Sequence, residues 1–319
     1  MKRRMWPALA VLGAFFGLAL FADLLASDLP LAVRLDGHTY LLPALTRPGA
    51  LLGQTQQGLG PKAEWMLGTP IPFGPNQTFA DVAAEVGPPP WAPDGRHWLG
   101  TDELGRDVLA RVVHGTRVSL FVGFTSVALC LLLGVLLGAW AGFKGGAADA
   151  VISRLTELMM TFPTLFFLLA VLGALRVSSL WPLVLAIAIT RWTEPARLVR
   201  AEVLKLKQLD FVLAVRALGA SQSRILLKHL LPNALPPVLA QAAFAVATAI
   251  LLESATSFLG LGAPPPTASW GELLTQAHRY ITYPGAWWLA VFPGLCLFLT
   301  VLALNRLGES LQSRLDSRL

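Results

Sequence analysis

Residues Asp210–Asn233, DFVLAVRALGASQSRILLKHLLPN, form the stretch that decides how this chain folds and acts. The stretch is short and basic, and it lies between apolar runs that are too long for ordinary core helices. Its pattern predicts two short helices that break at Gly219, because glycine adopts a positive φ without steric cost. So small a pair of helices cannot bury its apolar face alone, and we expect it to dock on a partner. A cytosolic connector with a helical patch is the alternative.

The composition indicates a membrane protein. Of the 319 residues, 55% are hydrophobic and 14% are charged, whereas soluble domains carry about 25% charged residues. The net charge of +6 would suggest a nucleic-acid partner for a soluble protein. Here the basic residues cluster between apolar spans, so the positive-inside rule explains them better, and we expect lipid contacts and no nucleic acid. Cys130 and Cys296 both lie in apolar runs, which argues against a disulfide framework or a metal site.

The N-terminal region, residues 1–26, is predicted to form a first transmembrane helix. The run Met5–Ala22 contains 18 uncharged residues and follows the basic residues Lys2, Arg3 and Arg4. A secretory signal is the alternative, but the apolar region of such a signal is only about 7–15 residues long.

The next region, residues 27–115, is predicted to be a small, loop-rich extracytoplasmic insert. It is rich in proline and glycine, with 9 acidic and 6 basic residues. The alternation in Leu35–Leu42 predicts a strand pair that turns at Asp36 and Gly37. An amphipathic helix capped by Thr101 is expected to close the insert. The residues that would share its apolar face are Leu104, Val108, Leu109 and Val112.

Residues 116–319 are predicted to form a five-helix membrane domain, which makes the protein all-α with six spans. A span needs about 20 apolar residues. The predicted spans are Val118–Phe143, Leu158–Leu175, Val177–Thr190, Leu230–Leu252 and Ile281–Asn305. The fourth is short, and we expect it to continue as one helix through Arg191. A polar loop is expected over Ala263–Pro284.

Three glycines in the second span, Gly134, Gly138 and Gly142, recur every four residues. This spacing would let another helix approach closely. Ordinary small-residue content in a membrane helix is the alternative.

The charges predict the orientation. The segment Arg197–Lys228 contains seven basic and two acidic residues, the densest positive segment of the chain. It therefore marks the cytoplasmic side. With six spans, both termini are then cytoplasmic, and the insert, the 263–284 loop and a short turn at Arg176 lie outside.

Motifs for catalysis or nucleotide binding are missing from the sequence. There is no G-x-x-x-x-G-K-[ST] phosphate loop, no H-E-x-x-H and no G-x-S-x-G. The neighbouring carboxylates Asp102 and Glu103 are explained by a helix start. We therefore expect no enzymatic activity, catalytic residue, metal or cofactor in this chain.

Glu253 is the clearest ionisable residue within a predicted span. A carboxylate in such a place is a candidate for the translocation path. Hydrogen bonds to neighbouring helices, or a position near the outer interface, are the preferred explanation. The scarcity of such residues argues against an ion-coupled secondary carrier. A membrane bundle with a basic docking loop and no energy source of its own suggests a permease that a separate ATPase drives.

Asp210–Asn233 resembles the cytoplasmic coupling loop of bacterial ABC importer permeases. The pattern of that loop is E-A-A, three residues, G, nine residues, then I-x-L-P. Ala214, Gly219 and Leu231-Pro232 match it, whereas Leu213 replaces the glutamate. Val215 and His229 are further replacements. The resemblance assigns ATPase coupling to Phe211, Ala214, Arg216, Ala217, Gly219, Ala220, Ser221, Ile225, His229, Pro232 and Asn233.

Further stretches resemble the dipeptide/oligopeptide branch of these permeases, in particular its C-type subunit. They are His97–Leu120, Trp192–Leu204 and Glu253–Gly271, so the resemblance covers roughly residues 97–319. The first contains an external family motif of Gly100, Thr101, Asp102, Gly105, Arg106 and Asp107. Ser27–Tyr40 and Pro70–Gly74 resemble the longer insert of Yej-type permeases, which are associated with oligopeptide and microcin C uptake.

The resemblance implies a type I ABC importer permease fold in a bacterial inner membrane. It also implies partners: a second, B-type permease, two ATP-binding subunits that carry the ATP and magnesium, and an extracytoplasmic solute-binding protein. Peptides are the expected substrate. Nickel or another small solute is the alternative within the branch, and a non-transporting scaffold for ATPases is an alternative of another class.

Overall fold

The computed structural model describes residues 2–79, 87–175, 179–280 and 285–316. The chain forms two compact units. One contains Met1–Leu9, Val122–Leu252 and Val301–Leu319, and the other contains Ala10–Phe121 and Glu253–Thr300. The N-terminal elements, in chain order, are α1 (Lys2–Leu20), α2 (Ala22–Leu25), β1 (Ala32–Leu35), β2 (His38–Leu41), α3 (Pro43–Thr46), the 3-10 turn Gly49–Leu51, α4 (Gln56–Leu59) and β3 (Trp65–Leu67).

The strand pair predicted in the insert is confirmed. β1 pairs antiparallel with β2, and Val33 lies opposite Tyr40. The turn residues Asp36 and Gly37 both have positive φ, 48° and 76°, as a tight two-residue hairpin turn requires. The third strand, β3, was not predicted; it pairs with the other edge of β1.

The helices that follow are α5 (Val108–Lys144), α6 (Gly146–Thr161), α7 (Thr164–Leu175), α8 (Trp181–Arg191), α9 (Thr193–Leu206), α10 (Asp210–Ala217), α11 (Gln222–Arg224), the π-helical segment Ile225–Leu230, α12 (Leu231–Phe258), α13 (Trp270–Arg279) and α14 (Trp288–Asp316). Within the described ranges, three helical stretches are long and apolar enough to cross a membrane: Val108–Lys144, Gln222–Phe258 and Trp288–Arg314. The pair α6 and α7 adds a fourth if it counts as one bent span. The count of six spans stays a prediction.

The predicted helix start at Thr101 is wrong. Residues 101–107 form a turn in which the Asp102 carboxylate accepts the backbone N–H groups of Leu104 and Arg106, both at 2.9 Å. The helix begins at Val108, and Asp107 caps it by accepting the N–H of Ala110 at 2.7 Å. A separate amphipathic helix is therefore absent here, because Val108–Val112 is the first turn of the long helix α5.

The predicted span Leu158–Leu175 is also wrong as a single straight helix. The chain breaks between α6 and α7 at Phe162 and Pro163, and the two helices meet at 87°. Proline disfavours helical geometry in the residue before it, and Phe162 is extended, with φ −84° and ψ 130°.

The fourth predicted span continues as expected. Trp192, between α8 and α9, has helical angles of φ −60° and ψ −21°. Its N–H donates to Ala188 O at 3.2 Å, and its carbonyl accepts from Ala196 N at 3.1 Å. Val177 and the expected turn at Arg176 lie outside the described residues.

The region 263–284 was predicted as a loop, but helix α13 lies within it. Ser269 caps this helix by accepting the N–H of Glu272 at 3.1 Å. Ser269 and Glu272 have the spacing of a capping box, a signal that the sequence does contain. Ile281–Pro284 lies outside the described residues, so the start predicted for the last span at Ile281 does too; α14 begins at Trp288.

Glycines in α5 confirm the predicted close helix approach. A Cβ at Gly138 would lie 2.2 Å from the carbonyl oxygen of Ala196, and one at Gly134 would lie 2.7 Å from that of Trp192. At Gly142 the nearest atom would be Arg200 O, at 2.9 Å. Helices α5 and α9 therefore pack backbone against backbone along three turns.

Candidate coupling loop and adjoining cavity

The break between the two predicted helices is confirmed at Gly219. The N–H of Ala220 donates to Val215 O at 3.3 Å, and that of Gly219 donates to Arg216 O at 3.0 Å. This pair of bonds is a Schellman motif, which ends a helix with one residue in the left-handed region. Gly219 has φ +79°, so its lack of a side chain fits the turn.

Buried apolar residues hold the loop against its own unit. Val212 of α10 is fully buried, as are Ile225 and Leu230 of the following segment. They share one core cluster with Val199 and Val203 of α9. Ile225, one of the residues assigned to ATPase coupling, therefore lies in the core of this chain and anchors the loop.

The opposite face of the loop exposes apolar side chains. Phe211 is 40% exposed, Leu213 48% and Leu218 88%. An exposed apolar patch among basic residues is typical of an interaction site. Of the other residues assigned to coupling, Ala220 and His229 are half-buried, and those exposed with the patch are Ala214, Arg216, Ala217, Gly219, Ser221, Pro232 and Asn233.

Polar contacts connect the C-terminal half of α9, which leads into the loop, to α6 and α5. The guanidinium of Arg200 forms a bidentate ion pair with Asp149 of α6, and Nη2 lies 2.7 Å from Oδ2. The hydrogen bonds that Arg200 donates to the Asp149 carboxylate raise the pKa of Arg200. Lys207 Nζ donates to Phe143 O at the end of α5, at 2.8 Å. A displacement of the loop would therefore carry α9, α5 and α6 with it.

A cavity of about 460 Å³ lies within the same unit. Residues of α5, α6, α8, α9 and α12 line it, and most are apolar. Its charged lining residues are Arg191, Glu194 and Arg197. The first two form an ion pair, with Arg191 Nη2 2.9 Å from Glu194 Oε2.

The external motif forms a buried charge cluster in the other unit. Asp102 is fully buried, and its Oδ2 lies 2.7 Å from Arg106 Nε and 3.2 Å from Arg111 Nε. The second contact lacks hydrogen-bond geometry and is purely electrostatic. Arg111 also binds Glu272, with Nη2 2.6 Å from Oε2. The sequence did not predict that Arg111 and Glu272 contact each other, because no local sequence pattern indicates a contact between residues so far apart in the chain.

The remaining motif residues support this cluster. Asp107 binds His97, with Oδ2 2.9 Å from Nδ1. Thr101 is buried, and its carbonyl accepts from Trp288 Nε1 at 3.0 Å. Gly100 and Gly105 both have φ +72°. A Cβ at Gly100 would also lie 2.7 Å from Trp288 Nε1.

A turn at Asp94 positions His97. The carboxylate of Asp94 accepts the N–H groups of Arg96 and His97. Partial burial opposes ionisation, but these backbone hydrogen bonds outweigh it and lower the pKa of Asp94. Since its pKa is lower in the folded state, Asp94 stabilises the turn above the ordinary aspartate pKa. That contribution is lost as the pH falls through the lowered value.

Glu253 is fully buried among serines. Its carboxylate accepts from Ser257 Oγ at 2.8 Å and from Ser119 Oγ at 3.1 Å, and Ser254 Oγ lies at 3.4 Å. Glu253 is not among the residues that line the cavity. Over the described ranges, no three His, Cys, Asp or Glu side chains could together hold a metal ion.

Comparisons with known proteins agree on one family. Residues 134–319 match the family described as binding-protein-dependent transport system inner membrane component. The chain is 41% identical over 250 residues to the di/tripeptide transport system permease protein DppC of Pseudomonas aeruginosa, covering 78% of this chain and 81% of that one. It is 38% identical over 227 residues to the oligopeptide transport system permease protein OppC of Bacillus subtilis, covering 71% and 73%.

Solved structures show the same fold. An inward-facing structure of the MetNI methionine ABC transporter aligns with a TM-score of 0.51 at 20% identity, covering 64% of this chain and 96% of that one. An amino acid ABC transporter structure aligns with a TM-score of 0.50 at 19% identity, covering 65% and 94%. The predicted ABC importer permease fold is thus confirmed. The chain belongs to the family of inner membrane components of binding-protein-dependent transport systems.

Proposed function

We propose that this chain is the permease subunit of an ATP-driven importer of dipeptides or oligopeptides and forms half of the translocation path. The observation that carries this proposal is the exposed apolar face of α10, held rigidly on α9 beside a cavity. The names of the two permease relatives support a peptide substrate. The chain itself has no phosphate-binding loop, so the energy comes from a partner.

This proposal gives the chain three kinds of protein partner. A second, B-type permease completes the path, and two ATP-binding subunits hold the ATP and magnesium. An extracytoplasmic solute-binding protein delivers the peptide on the side of the insert. The chain crosses the bacterial inner membrane six times, with both termini in the cytoplasm. The basic segment Arg197–Lys228 supports this orientation.

Coupling proceeds by rigid-body motion. When the ATP-binding subunits close, they displace the loop that carries Phe211, Leu213 and Leu218. The loop cannot slide over its own unit, because Val212 and Ile225 are buried in it. The displacement therefore passes to α9 and, through the glycine contacts and the Arg200–Asp149 pair, to α5 and α6.

The test is reconstitution of the complex in proteoliposomes. This chain purified alone should hydrolyse no ATP. The complex should hydrolyse ATP faster when the peptide-loaded binding protein is present, and it should accumulate labelled peptide only with ATP. Uptake that persists without ATP and collapses with a protonophore would instead identify an ion-coupled carrier.

Competition in the same assay separates the substrate classes. An excess of unlabelled peptide should abolish uptake, and nickel should leave it unchanged. A complex that assembles and hydrolyses ATP but moves no solute would identify a scaffold.

A further inference from the structure

The cavity within the unit Val122–Leu252 has an uneven charge. Its lining contains two guanidinium groups and one carboxylate. Glu194 neutralises Arg191, since their side chains form an ion pair. Arg197 has no carboxylate partner among the described residues; its recorded contact is with the sulfur of Met160, at 3.8 Å from Nη1. Arg197 is exposed, so one positive charge at the open side of a mainly apolar cavity has no carboxylate beside it.

A second polar residue lies in the wall of the cavity. Ser126 of α5 lines the cavity and is fully buried. Its hydroxyl has no hydrogen-bond partner in the part of the chain that the structure describes. Buried polar groups are rarely left without a partner, because a buried donor without a hydrogen bond destabilises the folded state. This oxygen is closed off from the cavity, so a ligand could meet it only if the wall moved, and Arg197 is the polar group that a ligand meets directly.

The size of the cavity limits the ligand. A volume of about 460 Å³ lies within the range of roughly 300–1,000 Å³ that small-molecule sites occupy. Such a space is far larger than an inorganic ion requires. Its walls are mainly apolar, which suits side chains of varied shape, and its fixed polar groups are few.

We infer that this cavity binds the carboxylate end of a short peptide, with Arg197 as the carboxylate ligand. A guanidinium offers two parallel N–H donors that match the two oxygens of a carboxylate. Because Arg197 is exposed, a ligand that enters the cavity can reach its guanidinium without a change in the fold. The inference rests on the proposed function for the identity of the ligand as a peptide.

Equilibrium binding to the assembled complex in nanodiscs, without the solute-binding protein, tests the inference. The probes are radiolabelled trialanine and trialanine amide, which differ only in the terminal carboxylate. The wild-type complex should bind the acid about threefold to fivefold more tightly than the amide, because a charge pair with an exposed guanidinium contributes about that much. In Arg197→Gln the difference between acid and amide should disappear.

Arg154→Gln is the matched control. Arg154 lies on α6, is 81% exposed at its side chain and pairs with Glu157 outside the cavity. This variant should keep the full preference for the acid. If Arg197→Gln does not assemble, Arg197→Lys keeps the charge without the forked geometry and should bind the acid with an intermediate preference.

Equal binding of acid and amide by the wild-type complex would overturn the inference, as would an undiminished preference in Arg197→Gln or Arg197→Lys. ATP-driven peptide uptake with equal binding of the two probes would leave the proposed function standing. A preference for the acid without any peptide uptake would reject the proposed function and keep the carboxylate site.

Discussion

Gly138 shows how a single residue sets the distance between two membrane helices. The space that a methyl group would need is taken by the backbone of Ala196. Backbone atoms cannot rotate away as the end of a flexible side chain can. The approach of α5 to α9, and so the position of the loop, therefore depends on the absence of a side chain here.

Gly138→Ala is expected to destabilise the protein by about 1–3 kcal/mol, the usual cost of overpacking. The measurement is thermal unfolding of the purified protein in detergent. Gly173→Ala is the control, because Gly173 is also helical and a Cβ there would meet no atom within 4 Å. Equal melting temperatures for the two variants would contradict the close packing.

Arg111 is a single residue whose buried charge stabilises the unit that contains it. It is fully buried and lies against the carboxylates of Asp102 and Glu272. Removing a buried charge leaves its partners without compensation, which is far more costly than removing an exposed one.

Arg111→Met is therefore expected to lower the stability of the unit that contains it by about 3–5 kcal/mol. Arg34→Met should change it by less than about 1 kcal/mol, because the Arg34–Glu64 pair is half exposed. Limited proteolysis of both variants across a temperature series measures the difference. Similar protease resistance in the two would show that the buried cluster is not structurally important.

Among the elements, α10 is a helix whose predicted end agrees with the structure. Its break at Gly219 was predictable, because a positive φ leaves a local signal. The start of α5 was not, because Asp102 and Thr101 look like a helix start and are used in a turn instead. The burial of Ile225 could not be predicted either, because the spacing of apolar residues in one helix does not show which of its faces packs against α9.

Leu213→Glu tests whether the exposed face of α10 docks through apolar contact. Leu213 is half exposed, so the isolated chain should fold as before. Docking would bury only the exposed half of Leu213, which stabilises by about 1 kcal/mol. A glutamate there would lose this contribution and would also place a charge in the contact. Co-purification of the ATP-binding subunits should fall about tenfold.

Leu41→Glu, on β2 of the insert, is the matched control and should leave the yield of ATP-binding subunits unchanged. Leu41 is likewise exposed. An unchanged or higher yield with Leu213→Glu would mean that the partner accepts a carboxylate at this position.

At the scale of the whole molecule, the sequence was sufficient for the family and for the all-α fold. Composition indicated a membrane protein, and the resemblance of Asp210–Asn233 to a coupling loop pointed to an ABC permease. The comparisons agree. The cavity could not be predicted, because its lining comes from five helices that are distant in the chain. The sequence places Arg197 in the basic segment Arg197–Lys228 and Arg191 at the end of the fourth predicted span. Only the folded structure shows that both residues line one cavity.

The most direct test of the central claim, that the loop couples ATP hydrolysis to transport, compares Gly219→Val with Gly260→Val in the reconstituted complex. Gly260 ends α12 with the same Schellman bonds and the same φ of +79°, and a Cβ at either glycine would meet no atom within 4 Å. A β-branched residue at positive φ is a strained outlier, so each variant distorts one turn by similar chemistry. The ratio of peptide transported to ATP hydrolysed should fall about tenfold for Gly219→Val and stay at the wild-type value for Gly260→Val. A wild-type ratio for Gly219→Val would contradict the account.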